Sequence, residues 1–393
     1  METKANSVNF DRGELGQVVL VLQGGGALGA YQAGAYQALC EAGIEPDWVI
    51  GTSIGAINAS LIAGNAPEQR LARLEEFWHR VTHAPPVQFA AAAPIVGPWV
   101  ANMMTMAGGL PGFFAPNPWA FLGLGMPLGS GLAGYYSTRP LERTLEQLVD
   151  PMRLNSGKPR LTVGAAKVQT GEMRYFDSRD GALTVRHVMA SGALPPAFPA
   201  VRIGDDLYWD GGILSNTPVE AVFDDEPRKS GVVFIVHMWA PNGPEPNSIW
   251  KVLARHKDLQ YSSRASSHIA RQRQLHQLRH VIRELAAKLP PEVAASPETQ
   301  ELAGYGCVTR MHVVRLMAPP LAGEDHSKDI DFSPSGIAHR WRAGRADTAR
   351  VLAQAPWAGK FHPLEGLILH EAEAGQMTSS KRPLVQLTSG SYH

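Results

Sequence analysis

Apolar residues in this chain fall in short unbroken runs that alternate with stretches of helical period. Residues 17–22 (QVVLVL) and 231–239 (GVVFIVHMW) are continuous apolar runs, the pattern of strands buried on both faces. After the first run come a glycine cluster and a segment rich in helix formers (30–39), then a short predicted strand (48–50) and a small-residue helix (53–63). Pro67 opens a further helix to about Arg80, with charges on one side and Leu71, Leu74, Phe77 and Trp78 on the other. Strand–helix alternation of this kind predicts an α/β fold with a parallel sheet covered by helices on both faces. The pattern resumes with a helix at 139–148 and strands at 160–168 and 172–176, joined by a Thr170–Gly171 turn. A helix at 183–190 and a strand at 207–209 lead to a second Gly-Gly pair.

The segment PNGPEP (241–246) reads as a linker and sets the expected boundaries: a tail at 1–17, a main domain at 18–240 and a C-terminal extension at 241–393. The extension is expected to hold a long helix (248–289), a strand (308–317) and a helix begun by Ser333-Pro334, a capping residue followed by proline at the first helical position.

The balance of charge narrows the function classes. Lys+Arg and Asp+Glu both number 36 in 393 residues, so no global basic field exists to recruit nucleic acid. Two distant cysteines, Cys40 and Cys307, argue against a disulfide scaffold or a structural zinc, and no metal or organic cofactor is expected. The first 17 residues contain acids and no apolar core, so no secretory signal is read there. No run of 18 apolar residues suggests a membrane span. A cytoplasmic location follows as the expectation, with peripheral membrane contact left open.

Charged residues are only 18% of the chain, and the deficit is local. Between Arg80 and Arg139 there is no Asp, Glu, Lys or Arg, while Phe89, Trp99, Met103, Met104, Met106, Phe113, Phe114, Trp119, Phe121 and Met126 occur among many Gly and Pro. Prolines recur too often for a spanning helix. Two readings stand: an irregular segment folded under the C-terminal region, or an apolar lid (81–138) that binds acyl chains and meets a lipid surface. From Lys251 to Lys288, nine Lys/Arg face only Asp258 and Glu284. That fits either a solvated helix balanced elsewhere in the chain or a basic helix approaching anionic lipid.

Gly24-Gly25-Gly26-Ala27-Leu28-Gly29 fits G-x-G-x-x-G between a strand and a helix, the context of a dinucleotide fingerprint. The acid expected at the end of the next strand is missing, since that strand runs into Ile50-Gly51-Thr52-Ser53. Consecutive glycine amides can alternatively converge on one developing negative charge, each donor worth roughly 2.7–4 kcal/mol in the transition state. Gly51-Thr52-Ser53-Ile54-Gly55 supports the second reading. It is a G-x-S-x-G on a predicted strand-to-helix turn, which projects the serine oxygen as a nucleophile. Serine needs a base. His187 and His237 lie in the main domain, so a Ser–His–Asp arrangement remains open. Asp210, in Tyr208-Trp209-Asp210-Gly211-Gly212, could instead act directly if it reaches the hydroxyl.

The three motifs in this order, QGGGALG, GTSIG and DGG, resemble those of the patatin-like phospholipases, lipid acyl hydrolases with a serine–aspartate dyad. The resemblance runs from about Val18 to Val236. It includes Ala190-Ser191-Gly192-Ala193, Pro196 and Phe198, and Asn216 and Pro218. It implies a three-layer α/β/α sandwich around a mainly parallel sheet, with a mostly helical C-terminal extension like that of a bacterial subgroup. It implies Ser53 as nucleophile, Asp210 as general base, and Gly24, Gly25 and Gly26 as the oxyanion loop, supported by Gly29, Gly51, Gly55, Gly211 and Gly212. Leu28 stands where the family often carries a basic residue, which bears on whether an anionic phosphate is favoured there. The expected activity is hydrolysis of carboxylic esters with apolar acyl groups through an acyl-serine. Acyl transfer, non-catalytic lipid binding and, last, a dinucleotide-binding oxidoreductase are the alternatives.

Overall fold

The computed structural model describes residues 15–82, 97–121, 125, 127–321, 324, 326–373 and 376–379. Phe89, Met126 and the side chains of Trp99 and Phe121 lie outside the described residues, as does most of the expected tail.

The apolar runs form the middle of a ten-stranded sheet. Strand β1 (Gln17–Leu22) is followed by α1 (Ala30–Glu41), β2 (Trp48–Thr52), α2 (Ile54–Ala63) and α3 (Pro67–Arg80). After the uncharged stretch, which holds α4 (Gly97–Gly108), come α5 (Arg139–Leu148), β3 (Arg160–Lys167), β4 (Met173–Asp177), α6 (Val185–Ser191), β5 (Val201–Ile203), β6 (Asp206–Asp210) and β7 (Gly231–His237). The C-terminal part adds α7 (Ile249–Ala286), β8 (Met311–Met317), α8 (Pro334–Gln354), β9 (Leu367–Glu373) and β10 (Gln376–Ser379). The sheet order is β10-β9-β8-β7-β1-β2-β3-β6-β5, with β4 beside β3. The central pairs β8–β7, β7–β1, β1–β2 and β2–β3 are parallel, and β3–β4, β3–β6, β5–β6 and β9–β10 are antiparallel.

Because side chains alternate along a strand, β1 divides its residues between two apolar layers. Val18, Leu20 and Leu22 pack with α1, α2 and α3 on one face. Val19 and Val21 pack with Val222, Phe223 and Ile269 of α7 on the other. Neither face of this strand meets water, which is why its sequence shows no polar alternation. The expected α/β sandwich is therefore the fold.

The boundary expected at 240/241 lies in the loop from β7 to α7, and the sheet runs on past it. β8 pairs with β7 over seven residues, from Met311↔Gly231 to Met317↔His237. On the far side α8 lies along α1, joined by Tyr31–Asp347 (3.1 Å), Trp341–Gln37 (2.6 Å) and Arg345–Glu41 (2.9 Å). The strands β5, β9 and β10 were not expected. β5 has three residues, and β9 turns from apolar LIL to polar HEAE, so neither offers a long apolar run. The long helix ends at Ala286 and is capped by the Ser248 hydroxyl, which accepts from the Lys251 amide (3.3 Å).

Candidate active site

Strand β3 brings the two ends of the expected dyad to one level. Its Gly164 is the register partner of Thr52 on β2, and its Ala165 is the partner of Asp210 on β6. Ser53, one residue beyond Thr52, therefore stands level with Asp210, although 157 residues separate them in sequence. The Ser53 hydroxyl lies beside the Asp210 carboxylate, placed to donate to it.

Each partner is held from behind. Ser53 sits at φ 57° and ψ −126°, a strained backbone for a residue with a side chain. The turn closes because Gly51 and Gly55 lie backbone to backbone, with no room for a Cβ on Gly51. The Ser53 amide donates to the Ser191 hydroxyl (3.0 Å), which in turn donates to the Gly164 carbonyl (2.6 Å). Asp210 is 2% exposed. Its amide donates to the Ala193 carbonyl (3.0 Å), and Oδ1 accepts from the Gly212 amide (2.7 Å). Burial raises its pKa from the ordinary 3.8 to about 6, against the opposing pull of the Ser53 and Gly212 hydrogen bonds.

The glycine loop lies against the serine: a side chain on Gly24 would come 3.0 Å from Ser53 Cβ. Of the three loop amides, that of Gly24 is already engaged, donating to the Asn216 carbonyl (3.1 Å). Its carbonyl accepts from Asn216 Nδ2 (3.1 Å) and Trp239 Nε1 (2.8 Å). The Gly25 and Gly26 amides donate to no acceptor among the described residues. The preceding Gln23, fully buried, clamps the loop: its Nε2 donates to Thr217 Oγ1 (2.7 Å), and its Oε1 accepts from the Trp239 amide (3.2 Å). Gly26 has φ +57°, and a Cβ there would run into the Asp329 carbonyl oxygen.

These groups open into a cavity of about 270 Å³ at the C-terminal ends of the parallel strands, where ligands of open α/β sheets bind. One wall is apolar, built from Ile54, Ile57, Phe113, Phe114, Phe198 and Phe332. Phe113 and Phe114 come from the uncharged segment and pack at a tilt beside Phe198 (ring centres 6.3 and 5.8 Å). The other wall holds Asn216, Trp239, Tyr261 and Asp329, the last two from beyond residue 240. A larger cleft of about 660 Å³ lies at the opposite ends of the strands, beside Asp47, Arg70 and Arg160. Its arginines are paired, Arg160 with Asp177 and Asp225, and Arg70 with Glu45.

Neither candidate histidine lines the cavity. His187 Nδ1 accepts from the Thr184 amide (3.0 Å) at the start of α6, and its ring packs on Phe176. His237 is buried beside Arg315, whose Nε lies 3.3 Å from its Nε2; burial first, then that guanidinium, pushes its pKa well down. Among the described residues no cluster of His, Cys, Asp or Glu could hold a metal, and no helix is long and apolar enough to cross a membrane. The sequence did not point to Tyr261, Asp329 or Phe332. Gln23 heads the QGGGALG motif, but its role in clamping the loop carried no signal there.

An open α/β sheet with a serine on its strand-to-helix elbow, an aspartate beside it and unpaired glycine amides is an arrangement that can support acyl transfer. The family model described as patatin-like phospholipase matches residues 20–223, and a second, described as patatin phospholipase, matches 259–364. The chain belongs to the patatin-like phospholipase family and is a lipid ester hydrolase. A search of solved structures finds VipD from Legionella pneumophila at 16% identity and a TM-score of 0.40, over 86% of this chain and 67% of that one. No curated protein matches the sequence.

Proposed function

We propose that the chain hydrolyses lipid carboxylic esters through a Ser53–Asp210 dyad. The observation that carries this reading is the placement of the Ser53 hydroxyl beside the buried Asp210 carboxylate, both lining an apolar cavity that no histidine lines among the described residues. Ser53 Oγ attacks the ester carbonyl carbon while Asp210 takes its proton. The Gly25 and Gly26 amides hold the oxyanion of the tetrahedral intermediate. Asp210 returns the proton to the departing alkoxide, the alcohol leaves, and an acyl-serine remains. Water then attacks the acyl-serine, again giving its proton to Asp210. Collapse of the second intermediate releases the fatty acid and restores the Ser53 hydroxyl.

The acyl chain lies along the phenylalanine wall. Met103, Met104, Met106, Trp119 and Leu132 of the uncharged segment are exposed apolar residues suited to peripheral contact with lipid aggregates. Treatment with a fluorophosphonate followed by peptide mass mapping tests the nucleophile. Label is expected on the Ser53 peptide and is absent in Ser53→Ala. Label elsewhere, or hydrolysis that survives the substitution, would remove the proposal.

A further inference from the structure

Residues 326–332 cross the glycine loop, and two ion pairs fasten them to α7. Lys257 Nζ donates to both oxygens of Asp329 (2.7 and 2.9 Å) and to the His326 carbonyl (2.9 Å), so all three ammonium hydrogens are engaged. Lys328 Nζ donates to Asp258 (2.8 Å) and lies 5.1 Å from the centre of the Trp239 ring. Two lysines thus meet two aspartates, and neither cation is left over. Asp329 lines the cavity, and its carbonyl rests against Gly26.

No lysine, arginine or histidine lines this cavity among the described residues. Its two charged groups are both carboxylates, Asp210 and Asp329. Leu28, beside the oxyanion loop, is buried and apolar. A phosphate entering on the Tyr261–Asp329 side would shed water, find no free cation, and face a carboxylate. An uncharged alcohol portion meets none of these costs.

We infer that the substrates of this site are uncharged acyl esters, such as glycerides or simple alkyl esters, and that Asp329 and its Lys257 partner act as a specificity determinant against anionic head groups. The inference rests on the hydrolase reading and names its substrate class. The C-terminal region accordingly contributes to substrate choice as well as to the sheet.

The test compares dioctanoylglycerol with dioctanoyl phosphatidate at equal mole fraction in neutral detergent micelles, with Ser53→Ala as the blank. The neutral ester is expected to have kcat/KM about 100-fold higher. Asp329→Asn frees Lys257 and should narrow that ratio about tenfold, whereas Lys257→Gln bares Asp329 and should widen it. Opposite shifts from two substitutions in one ion pair do not arise from misfolding. Equal hydrolysis of the two lipids, or a ratio that neither variant moves, overturns the inference while leaving the hydrolase reading intact. Failure of the wild-type protein to hydrolyse any ester brings down the hydrolase reading and this inference with it.

Discussion

In the proposed dyad the carboxylate takes a proton from serine with no histidine between them, so activity is governed by its own ionisation, and burial moves that of Asp210 up to about 6. The base must be ionised to act, so kcat/KM for a neutral, water-soluble ester should rise with pH through about 6 and then level; a profile flat from pH 5 to 8 would contradict the assignment. His187→Gln should leave that profile in place, because His187 caps α6 and does not face the cavity. The same shift bears on stability. The folded protein holds the Asp210 proton more tightly than the unfolded chain, so its contribution to stability falls as pH rises from about 4 to about 6, by up to about 3 kcal/mol. Asp210→Asn should therefore abolish hydrolysis yet raise Tm at pH 8, a gain that fades near pH 4, as calorimetry at the two pH values would show. This scale was the most legible in sequence. A nucleophile on a sharp turn needs small residues at fixed offsets, and Gly51, Ser53 and Gly55 keep them. That the Gly24 amide is engaged by Asn216 could not be read, since the bond joins residues 192 positions apart.

Elements turn these residues into a site by fixing their relative height. β3 does so by pairing with β2 near one end and β6 near the other, and α6 does so by carrying Ser191 under the elbow. Ser191 is fully buried, does not itself line the cavity, and bonds the Ser53 amide and the Gly164 carbonyl, which makes it a positioning residue. Ser191→Ala should lower kcat about tenfold, an effect of the size expected when a buried amide loses its acceptor, with KM nearly unchanged. An equal loss in KM would assign it to binding instead. Gly26→Ala is the more severe change: it combines a strained φ with a collision against Asp329, displacing a proposed oxyanion donor. Activity should fall by at least about 100-fold while the far-ultraviolet circular dichroism is kept. Continuous apolar strands announced themselves in the sequence because both their faces are covered. The three residues of β5 and the polar end of β9 gave no such pattern.

At the scale of the whole molecule, the two sequence segments separated by PNGPEP share one sheet and one cavity. β7 has β1 on one side and β8 on the other, and Phe234 within it packs edge-on against Trp357 (ring centres 5.6 Å). Ending the chain after residue 240 would strip β8 from a central strand, leaving a long apolar edge of the kind that aggregates. It would also uncover α1, whose Tyr31 and Gln37 bond to α8, and remove Tyr261, Asp329 and Phe332 from the cavity. A linker-like composition marks a loop without telling whether the flanking segments fold apart, because strand pairing over 70 or more residues leaves no local trace. A 1–240 fragment should therefore be insoluble or fail to unfold cooperatively, whereas the full chain should melt in a single transition that includes both parts. Two separate transitions in the full chain, or a soluble fragment with full ester hydrolysis, would instead make 18–240 an independent catalytic domain and reduce the C-terminal region to an appendage.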